Sequence, residues 1–457
     1  MTGPLSEDVL TPGVSRLRPD DHFMVLAETD ASPLHIGALL VLDVPEEARG
    51  RFPGDIRRHL AERLPATPLQ CRLVEAPDGY DSDVWVDVAA SDRHVLSVPS
   101  AEPWIAARLR ADVALRAMAR LDLASAPYRI HVYEEIAGGG AALFVQIHHA
   151  LADGIGVQTI LRLLSDAALA VPPRAMDAVP PPEEEWRRLA DERFAREAAL
   201  RERHRNDREA ALAALKALRD DPATRRPRTP ALRMGGAIGP ERAYATVQLD
   251  FARVKRVAAA LGGTINDLFL ALCSAAVRRL LLDLDDLPAA PIVVNSARSY
   301  RKPEHGAYGN RIVALHPHIA TDIADPIARL RAIQAEMRRE LARSTLDEAV
   351  LDQPERPYGA RDRRARFGGQ AGETILPGNI SVSNVPGPAE QLRYAGFPLV
   401  ANYPVPIIGS GRFLNITSRR NAERLDVGIM ADPTRVPDAD RVAQSLSGAL
   451  GDYEALV

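Results

Sequence analysis

Hydrophobic and polar positions in the first third of the chain alternate between strand-like and helix-like spacing. The run HIGALLVLDV (35–44) is continuous and rich in branched residues, which is typical of a buried strand. Residues 103–121 have helical spacing, with a proline near the first turn. Two apolar segments, 128–136 and 142–149, flank a Gly-Gly-Gly turn and predict a hairpin, and a helix is predicted from about 154 to 170. This succession predicts an α/β unit.

The second half of the chain repeats this alternation. TINDLFLALCSAAVRRLLLDL (264–284) predicts a long apolar helix, and residues 325–341 predict another helix that begins with Asp-Pro. Further strands are predicted at ISVSNVPGP and at two apolar segments joined by a short Asn-Ala turn. The chain therefore predicts two α/β halves of comparable size.

A segment of different composition separates the two halves. Residues 171–240 begin and end with Pro-rich stretches, which are typical of linkers, and the charged part between them predicts a long helix over 183–221. We therefore expect a first lobe over residues 1–170, a linker over 171–240 and a second lobe over 241–457.

The charged helix of the linker has two interpretations. It is either a solvated helix with ion pairs at i, i+4 spacing, or an amphipathic helix that rests on lipid through Trp186 and Phe194. Its many acidic residues weaken the second interpretation.

Composition narrows the classes of function and of partner. The chain has 57 basic and 61 acidic residues and a net charge of −4, which argues against a nucleic-acid partner. Cys71 and Cys273 are too far apart in the sequence and too few for a disulfide framework or a thiolate zinc site. With no signal-peptide pattern and no apolar run near 18 residues, we expect a cytoplasmic protein. It could also be peripheral on the inner face of the membrane or on lipid droplets.

One adjacent histidine pair carries the strongest chemical signal. His148 and His149 end an apolar strand in IHHALADGIG, and Asp153 and Gly154 follow just before a helix. A histidine placed at a strand end can take and return a proton near neutral pH. The structural alternative is that the pair consists of ordinary strand-end residues and that Asp153 caps the helix.

A metal site is a weaker alternative for the same residues. His149 and Asp153 stand at i, i+4 spacing, but neither an HExxH motif nor a second histidine cluster is present. We therefore predict no metal.

These motifs occur in an order that resembles a known family. HHALADG fits HHxxxDG, the signature of acyltransferases with the chloramphenicol-acetyltransferase-like fold, which nonribosomal peptide condensation domains share. More narrowly, the chain resembles the bacterial wax ester synthase/diacylglycerol acyltransferase family from about residue 16 to 453. The resemblance is carried by residues 18–43, TINDLFLAL, GNRIVAL, DPIARLRAI, SNVPGP (383–388) and the hairpin FLNIT…LDVGIMAD.

The resemblance implies a fold and a reaction. It implies two chloramphenicol-acetyltransferase-like α/β lobes with mixed sheets and an active-site channel between them. The reaction is acyl transfer from acyl-CoA, a co-substrate, to diacylglycerol or a long-chain alcohol, without a covalent enzyme intermediate or a cofactor. His149 is then the general base. His148, the other histidine of the catalytic pair, either positions the base or holds the loop, and Asp153 and Gly154 support the motif.

The second lobe contributes candidate residues at the start of its long apolar helix. The Asn266 amide could donate to the oxyanion or to the acceptor. Asp267 could contribute to the site as well, but Thr264 and Asp267 also fit a capping box, which is a purely structural role.

Other candidates are weaker. Ser383 and Asn384 could face the groove between the lobes, and His35 is either a buried histidine or a substrate contact. The basic segment 295–302 could meet CoA phosphates or form a solvated loop. The Arg/Gly-rich segment 352–378 is interpreted as either a mobile lid or a basic surface loop.

Two further functions remain open at this point. One is a different HHxxxDG acyltransferase, of condensation or polyketide-associated type, that uses a carrier-bound donor. The other is a non-catalytic lipid-binding relative.

Overall fold

The computed structural model describes residues 9–89, 91–167, 177–222, 224–226, 228–302, 309–351 and 377–457. Segment 352–378 lies outside the described residues except for its last two positions. Within the described chain the helices are α1 Pro19–Leu26, α2 Phe52–Arg63, α3 Ala106–Ala117, α4 Gly154–Leu164, α5 Glu183–Arg203, α6 Arg205–Asp220, α7 Phe251–Ala260, α8 Ile265–Asp283, α9 Pro326–Leu351 and α10 Ala439–Glu454. The strands are β1 Val9–Thr11, β2 Val14–Arg16, β3 His35–Leu42, β4 Cys71–Val74, β5 Val84–Asp87, β6 Val95–Ser97, β7 Tyr128–Tyr133, β8 Ala141–His148, β9 Ala243–Asp250, β10 Val294–Ser299, β11 Ile312–Leu315, β12 Ile380–Val385, β13 Arg393–Tyr394, β14 Phe397–Val405, β15 Leu414–Asn421 and β16 Arg424–Ala431.

Two six-stranded sheets form the frame of the molecule. The first has the order β13-β14-β3-β8-β7-β6 and the second β11-β10-β12-β15-β16-β9. Both are mixed, because β6 and β7 pair in parallel in the first sheet and β12 pairs in parallel with β10 and β15 in the second. A smaller sheet has the order β1-β2-β5-β4. The predicted α/β fold with mixed sheets is confirmed.

Strand β8 places the histidine pair. Every residue of Ala141–His148 is buried, as expected for a continuous apolar run that is covered on both faces. Its pairing with β3 sets His148 opposite His35. The chain then turns, and Asp153 begins α4 by accepting a hydrogen bond at Oδ1 from the Gly156 N–H at 2.9 Å. The structure thus has the predicted strand, turn and helix.

Strand β14 corrects the predicted division into lobes. The prediction assigned all of 241–457 to the second lobe, but Phe397–Val405 pairs with β3 in the first sheet, from Leu399 opposite Leu42 to Val405 opposite Gly37. The physical reason is that the outer edge of β3 would otherwise lack main-chain partners.

The two large sheets also approach each other directly. A Cβ at Gly428 in β16 would lie 1.7 Å from the Pro404 carbonyl oxygen of β14, so only glycine permits the contact. The Tyr244 hydroxyl donates to the same carbonyl at 2.8 Å. These contacts join the two large sheets, and Pro404 also lines the cavity described below.

The charged linker segment forms two helices, α5 and α6, and α5 is held against the small sheet. Trp186 is 3% exposed, lies in an apolar cluster with Val14 and Val84, and its indole N–H donates to Asp81 at 3.0 Å. Phe194 packs edge-on against Tyr80. A lipid-facing role for Trp186 is therefore wrong, because its side chain is already buried in protein.

No single helix in the described part of the chain is both long and apolar enough to cross a membrane. Only α7 and α8 together pass that test, and they are bent by 98° relative to each other. The apolar residues of α8 pack in the largest hydrophobic core.

Candidate active site

The loop after β8 is held at both sides of His149. The His149 N–H donates to the Leu34 carbonyl at 2.8 Å, and the His149 carbonyl accepts from the Asn310 side-chain amide at 2.7 Å. One partner precedes β3 and the other belongs to the second half of the chain. His149 therefore lies where the two halves meet.

Asp153 ties the same loop to the second half. Its Oδ2 accepts from the Arg301 guanidinium at 2.7 Å and from the Arg311 backbone N–H at 3.1 Å. Because Oδ1 caps α4, both carboxylate oxygens are engaged in holding the loop. Gly154 is close-packed too, since a Cβ there would lie 3.0 Å from Val385 Cγ2.

Two arginines of the basic segment 295–302 form ion pairs inside the protein. Arg301 pairs with Asp153, and Arg298 pairs with Glu348 at 2.7 Å and contacts Ser344. The interpretation that this segment meets CoA phosphates is weakened, because both guanidinium groups already have carboxylate partners inside the protein.

A cavity of about 190 Å³ lies between the halves and is lined by His149. Most of its wall is apolar and comes from both sheets and from α4. The apolar lining includes Ile36, Ile155, Ile312, Val385, Val405 and Ile407. The polar lining, besides His149 and Asp153, consists of Ser299, Ser383, Asn384, Asn415, Thr417 and Arg419. An apolar space with a few polar groups suits a ligand that is mostly hydrocarbon.

The imidazole of His149 is predominantly neutral at neutral pH. Burial lowers its pKa below the ordinary value, while its own backbone carbonyl, Asp153 and Asn310 oppose this shift. Its Nδ1 is buried and, among the described residues, has no partner at good hydrogen-bond geometry. A neutral ring beside an apolar cavity can act as a proton acceptor.

His148 has different surroundings although it is the next residue. It is fully buried, its Nδ1 accepts from the Ala150 N–H at 3.1 Å, and its Nε2 lies 3.9 Å from Glu28 Oε1. Burial and the neighbouring His35 ring lower the pKa of His148 to about 3. His148 is therefore a neutral structural residue and not part of the cavity wall.

Glu28 joins this buried cluster. His35 Nε2 lies 3.1 Å from Glu28 Oε1, and Arg120 donates to Oε2 at 2.7 Å. Burial opposes ionisation, but the hydrogen bonds from His35 and Arg120 outweigh it and lower the pKa of Glu28 to about 2. The interpretation of His35 as a substrate contact is wrong, because its ring is enclosed in this network.

Glu28, His35 and His148 lie close enough together to bind a metal ion, but the hydrogen bonds of these side chains disfavour metal binding. The ligand atoms of Glu28, His35 and His148 lie within 4.8 Å of one another. His148 Nδ1 accepts an N–H, and His35 Nδ1 faces the Gln146 amide nitrogen at 2.8 Å. His148 therefore carries its proton on Nε2, the atom that a metal would need.

The structure separates the candidates of the second half. Ser383 and Asn384 line the cavity of His149, whereas Asn266 and Asp267 are not among the described residues that line it. The Asp267 carboxylate and Thr264 form a capping box at the start of α8. The prediction that Asn266 contacts the oxyanion therefore gains no support from its position.

Sequence reasoning missed four residues of this region: Asp21, Glu28, Asn310 and Arg419. Asn310 stands in GNRIVAL, a strand-like segment whose pattern gives no sign of a contact with His149. Arg419 is 3% exposed and donates to Asn402 at 3.1 Å, and burial lowers its pKa to about 10. The signal for Arg419 was a charged residue inside an apolar strand pattern.

Comparison with known proteins agrees with the site. Residues 17–269 match the wax ester synthase/diacylglycerol acyltransferase catalytic domain, and residues 308–454 match the WS/DGAT C-terminal domain. The chain belongs to the wax ester synthase/diacylglycerol acyltransferase family. It is thus an acyltransferase, which excludes the alternative of a non-catalytic lipid-binding relative.

Curated relatives extend over nearly the whole of this family member. It is 25% identical to O-acyltransferase WSD of Acinetobacter baylyi, with 96% of this chain and 97% of the relative covered. It is 27% identical to the protein named probable diacyglycerol O-acyltransferase tgs2 of Mycobacterium tuberculosis, with 96% and 99% covered.

Solved structures show the fold of the family. The wax ester synthase/diacylglycerol acyltransferase of Marinobacter aquaeolei VT8 has a TM-score of 0.67 at 22% identity, with 97% of this chain and 99% of that chain covered. The first condensation domain of the calcium-dependent antibiotic synthetase has a TM-score of 0.58 at 15% identity, with 96% of each chain covered. The expected two-lobed fold is confirmed.

Proposed function

We propose that this protein transfers an acyl group from acyl-CoA to the hydroxyl of diacylglycerol or a long-chain alcohol, forming triacylglycerol or a wax ester. The observation that carries the proposal is the position of the His149 imidazole beside an apolar cavity between the two halves. Burial lowers the pKa of this ring, which favours the neutral form that a base needs. The family supports acyl-CoA as donor and an alcohol or diacylglycerol as acceptor.

The proposed reaction has one base and two proton transfers. Because Nδ1 of His149 is buried, Nε2 is the nitrogen that we expect to take the proton from the acceptor hydroxyl. The hydroxyl oxygen attacks the thioester carbonyl carbon and forms a tetrahedral oxyanion. The carbon–sulfur bond then breaks, and the imidazolium returns its proton to the leaving thiolate. The products are the ester and free CoA thiol, and such general acid–base help is worth roughly 10²–10⁴ in rate.

Ser383 is the donor that we propose for the oxyanion. Thr417 and Asn415 hydrogen-bond to each other, and Asn384 accepts from Ser418 at 3.0 Å. Ser383 lines the cavity, and its hydroxyl makes no hydrogen bond to another described residue. A hydroxyl that is free to donate can stabilise charge that develops in the transition state.

The apolar wall has a second role in this proposal. Water is the competing acceptor for a thioester, and hydrolysis would waste the donor. A cavity lined mostly by branched apolar residues and prolines favours the hydrocarbon acceptor over water. The proposed acceptors reside in membranes and lipid droplets, so we also propose peripheral contact with such a surface. Flotation of the protein with diacylglycerol-containing liposomes tests that contact.

A panel of donors and acceptors tests the proposed function. Purified protein receives palmitoyl-CoA with dioleoylglycerol, with hexadecanol or with no acceptor, and free thiol and lipid products are measured. We expect thiol release that depends on the acceptor and matches the ester formed. Acceptor-independent thiol release, or turnover only with a carrier-bound donor, would contradict the proposal. The His149→Ala variant serves as the reference and is expected to lose at least a hundredfold in rate.

A further inference from the structure

Asn310 connects three parts of the molecule at His149. It is fully buried and its side-chain nitrogen donates to the His149 carbonyl at 2.7 Å and to Asp21 Oδ1 at 2.7 Å. The Asn310 backbone N–H donates to the same Oδ1 at 2.8 Å. Both amide protons of the side chain are thus used, one on the catalytic loop and one on helix α1.

The chain around Asn310 runs alongside the catalytic loop. The Gly309 N–H donates to the Leu151 carbonyl at 2.9 Å, and Gly309 forms a β-bridge with Ala152. Together with the Arg311 N–H on Asp153, these bonds hold the loop against the second half of the chain. These bonds therefore fix the position of Asn310 relative to His149.

Asp21 fixes which way the Asn310 amide points. Both hydrogen bonds of Asn310 to Asp21 end on Oδ1, which accepts them whether or not the other carboxyl oxygen is protonated. Burial raises the pKa of Asp21 to about 7, and the hydrogen bonds from Asn310 oppose this shift. The amide nitrogen must therefore face Asp21 and the His149 carbonyl, which leaves Asn310 Oδ1 on the opposite side.

Asn310 Oδ1, an acceptor, and His149 Nδ1 are both buried and have no partner at good geometry among the described residues. The His149 backbone carbonyl, Asp153 and Asn310 each favour the protonated form of the ring and oppose the lowering of its pKa by burial. An acceptor for Nδ1–H leaves Nε2 free to act as the base. It also stabilises the imidazolium once Nε2 has taken a proton.

We propose that Asn310 is a positioning residue for the transfer reaction, which orients the His149 ring from the side opposite the substrate and is itself oriented by Asp21. This inference rests on the proposed function, because it needs His149 as the base. No contact between Asn310 and substrate is implied.

The test compares Asn310→Ala with the wild type and with His149→Ala, using palmitoyl-CoA and hexadecanol. We expect kcat to fall at least tenfold in Asn310→Ala with KM for palmitoyl-CoA within threefold of wild type. The acid limb of kcat/KM should move to lower pH, because a group that favours ring protonation has been removed. In the His149→Ala background, Asn310→Ala should cause no further loss.

Asn379 provides a matched control. It is also a buried asparagine of the second half, and it accepts from the Val293 N–H at 3.1 Å and donates to the Pro230 carbonyl at 2.8 Å. Asn379→Ala should lower the unfolding midpoint but leave kcat per folded molecule and the acid limb unchanged. An equal effect of both substitutions on kcat and pH profile would overturn the proposal.

Asp21 supplies a second route in case Asn310→Ala does not fold. Asp21→Asn keeps an acceptor for the Asn310 amide and should retain kcat within threefold, whereas Asp21→Ala should lose at least fivefold. Burial raises the pKa of Asp21 to about 7 and both variants remove that titration, so the comparison is between their acid limbs, and the limb of Asp21→Ala should lie at lower pH than that of Asp21→Asn. Wild-type kcat and pH profile in Asn310→Ala, or in Asp21→Ala if only that variant folds, would overturn the inference. Turnover that survives His149→Ala would instead reject the proposed function.

Discussion

His148 and His149 are consecutive, and the two sides of the molecule that they face differ sharply. His148 belongs to a closed cluster with His35 and Glu28, in which protein groups occupy every side of the ring. His149 lines an open apolar cavity. Successive side chains at a strand end point to opposite faces, so adjacent residues enter different environments.

Burial and a lowered pKa therefore do not identify a catalytic histidine. Burial lowers the pKa of both rings. What distinguishes His149 is unoccupied space beside its ring, where a ligand can reach a neutral nitrogen. His148 has the same chemistry but no room for a substrate.

The largest expected contrast is between the same substitution at the two positions. His149→Gln should lower acceptor-dependent thiol release at least a hundredfold with an unfolding midpoint near that of wild type. His148→Gln should cost about 1–3 kcal/mol of stability, because a buried network loses a member, with turnover per folded molecule within tenfold of wild type. Thiol release and thermal unfolding measure both. Equal loss of turnover in the two folded variants would remove the distinction.

A smaller effect is expected on the cavity side at Ser383. Ser383→Ala should lower kcat at least tenfold, because the proposed oxyanion donor is lost. Ser274→Ala is the control, since that hydroxyl is buried in α8 and donates to the Ile319 carbonyl. Single-turnover rates with palmitoyl-CoA and hexadecanol separate the two. A Ser383→Ala rate equal to the control would assign the oxyanion to another group.

In the buried cluster around His148, Glu28→Gln is expected to change the stability of the fold and not the transfer reaction. We expect a loss of about 1–3 kcal/mol at pH 7, because His35 and Arg120 then face an uncharged acceptor. The lowered pKa of Glu28 means that its contribution is present above its ordinary value of 4.5 and is lost as pH falls through about 2. Denaturant unfolding at pH 7, 5 and 3 should show the difference from wild type shrinking with acid. A constant difference would argue against an ionised Glu28.

The smallest expected effect is the pH dependence of the wild type itself. Because burial lowers the pKa of His149, the base is already neutral at pH 7, and kcat/KM should change less than twofold between pH 7 and 8. The acid limb should lie below pH 6.5. Rates measured in buffers of constant ionic strength check this, and an inflection above pH 7 would be inconsistent with the surroundings of His149.

Local pattern predicted the elements that carry the motif. The continuous apolar run of 35–44 predicted β3, the hairpin pattern predicted β7 and β8, and the spacing of Asp153 and Gly154 predicted the start of α4. These features depend on neighbours within a few positions, so the amino-acid order alone is enough to specify them.

The contacts between segments that are distant in the sequence could be identified only from the tertiary structure. The entry of β14 into the first sheet follows from strand pairing across more than 350 positions, and no periodicity encodes such a partner. The same holds for Asn310 and Asp21 at His149, and for Glu28 at His148. The amino-acid order was sufficient to predict the motif and its helix cap. The packing of the sheets determines which histidine lines the cavity and which polar groups hydrogen-bond near it. The reason is that a strand's sequence specifies two faces, but only packing determines what covers each of them.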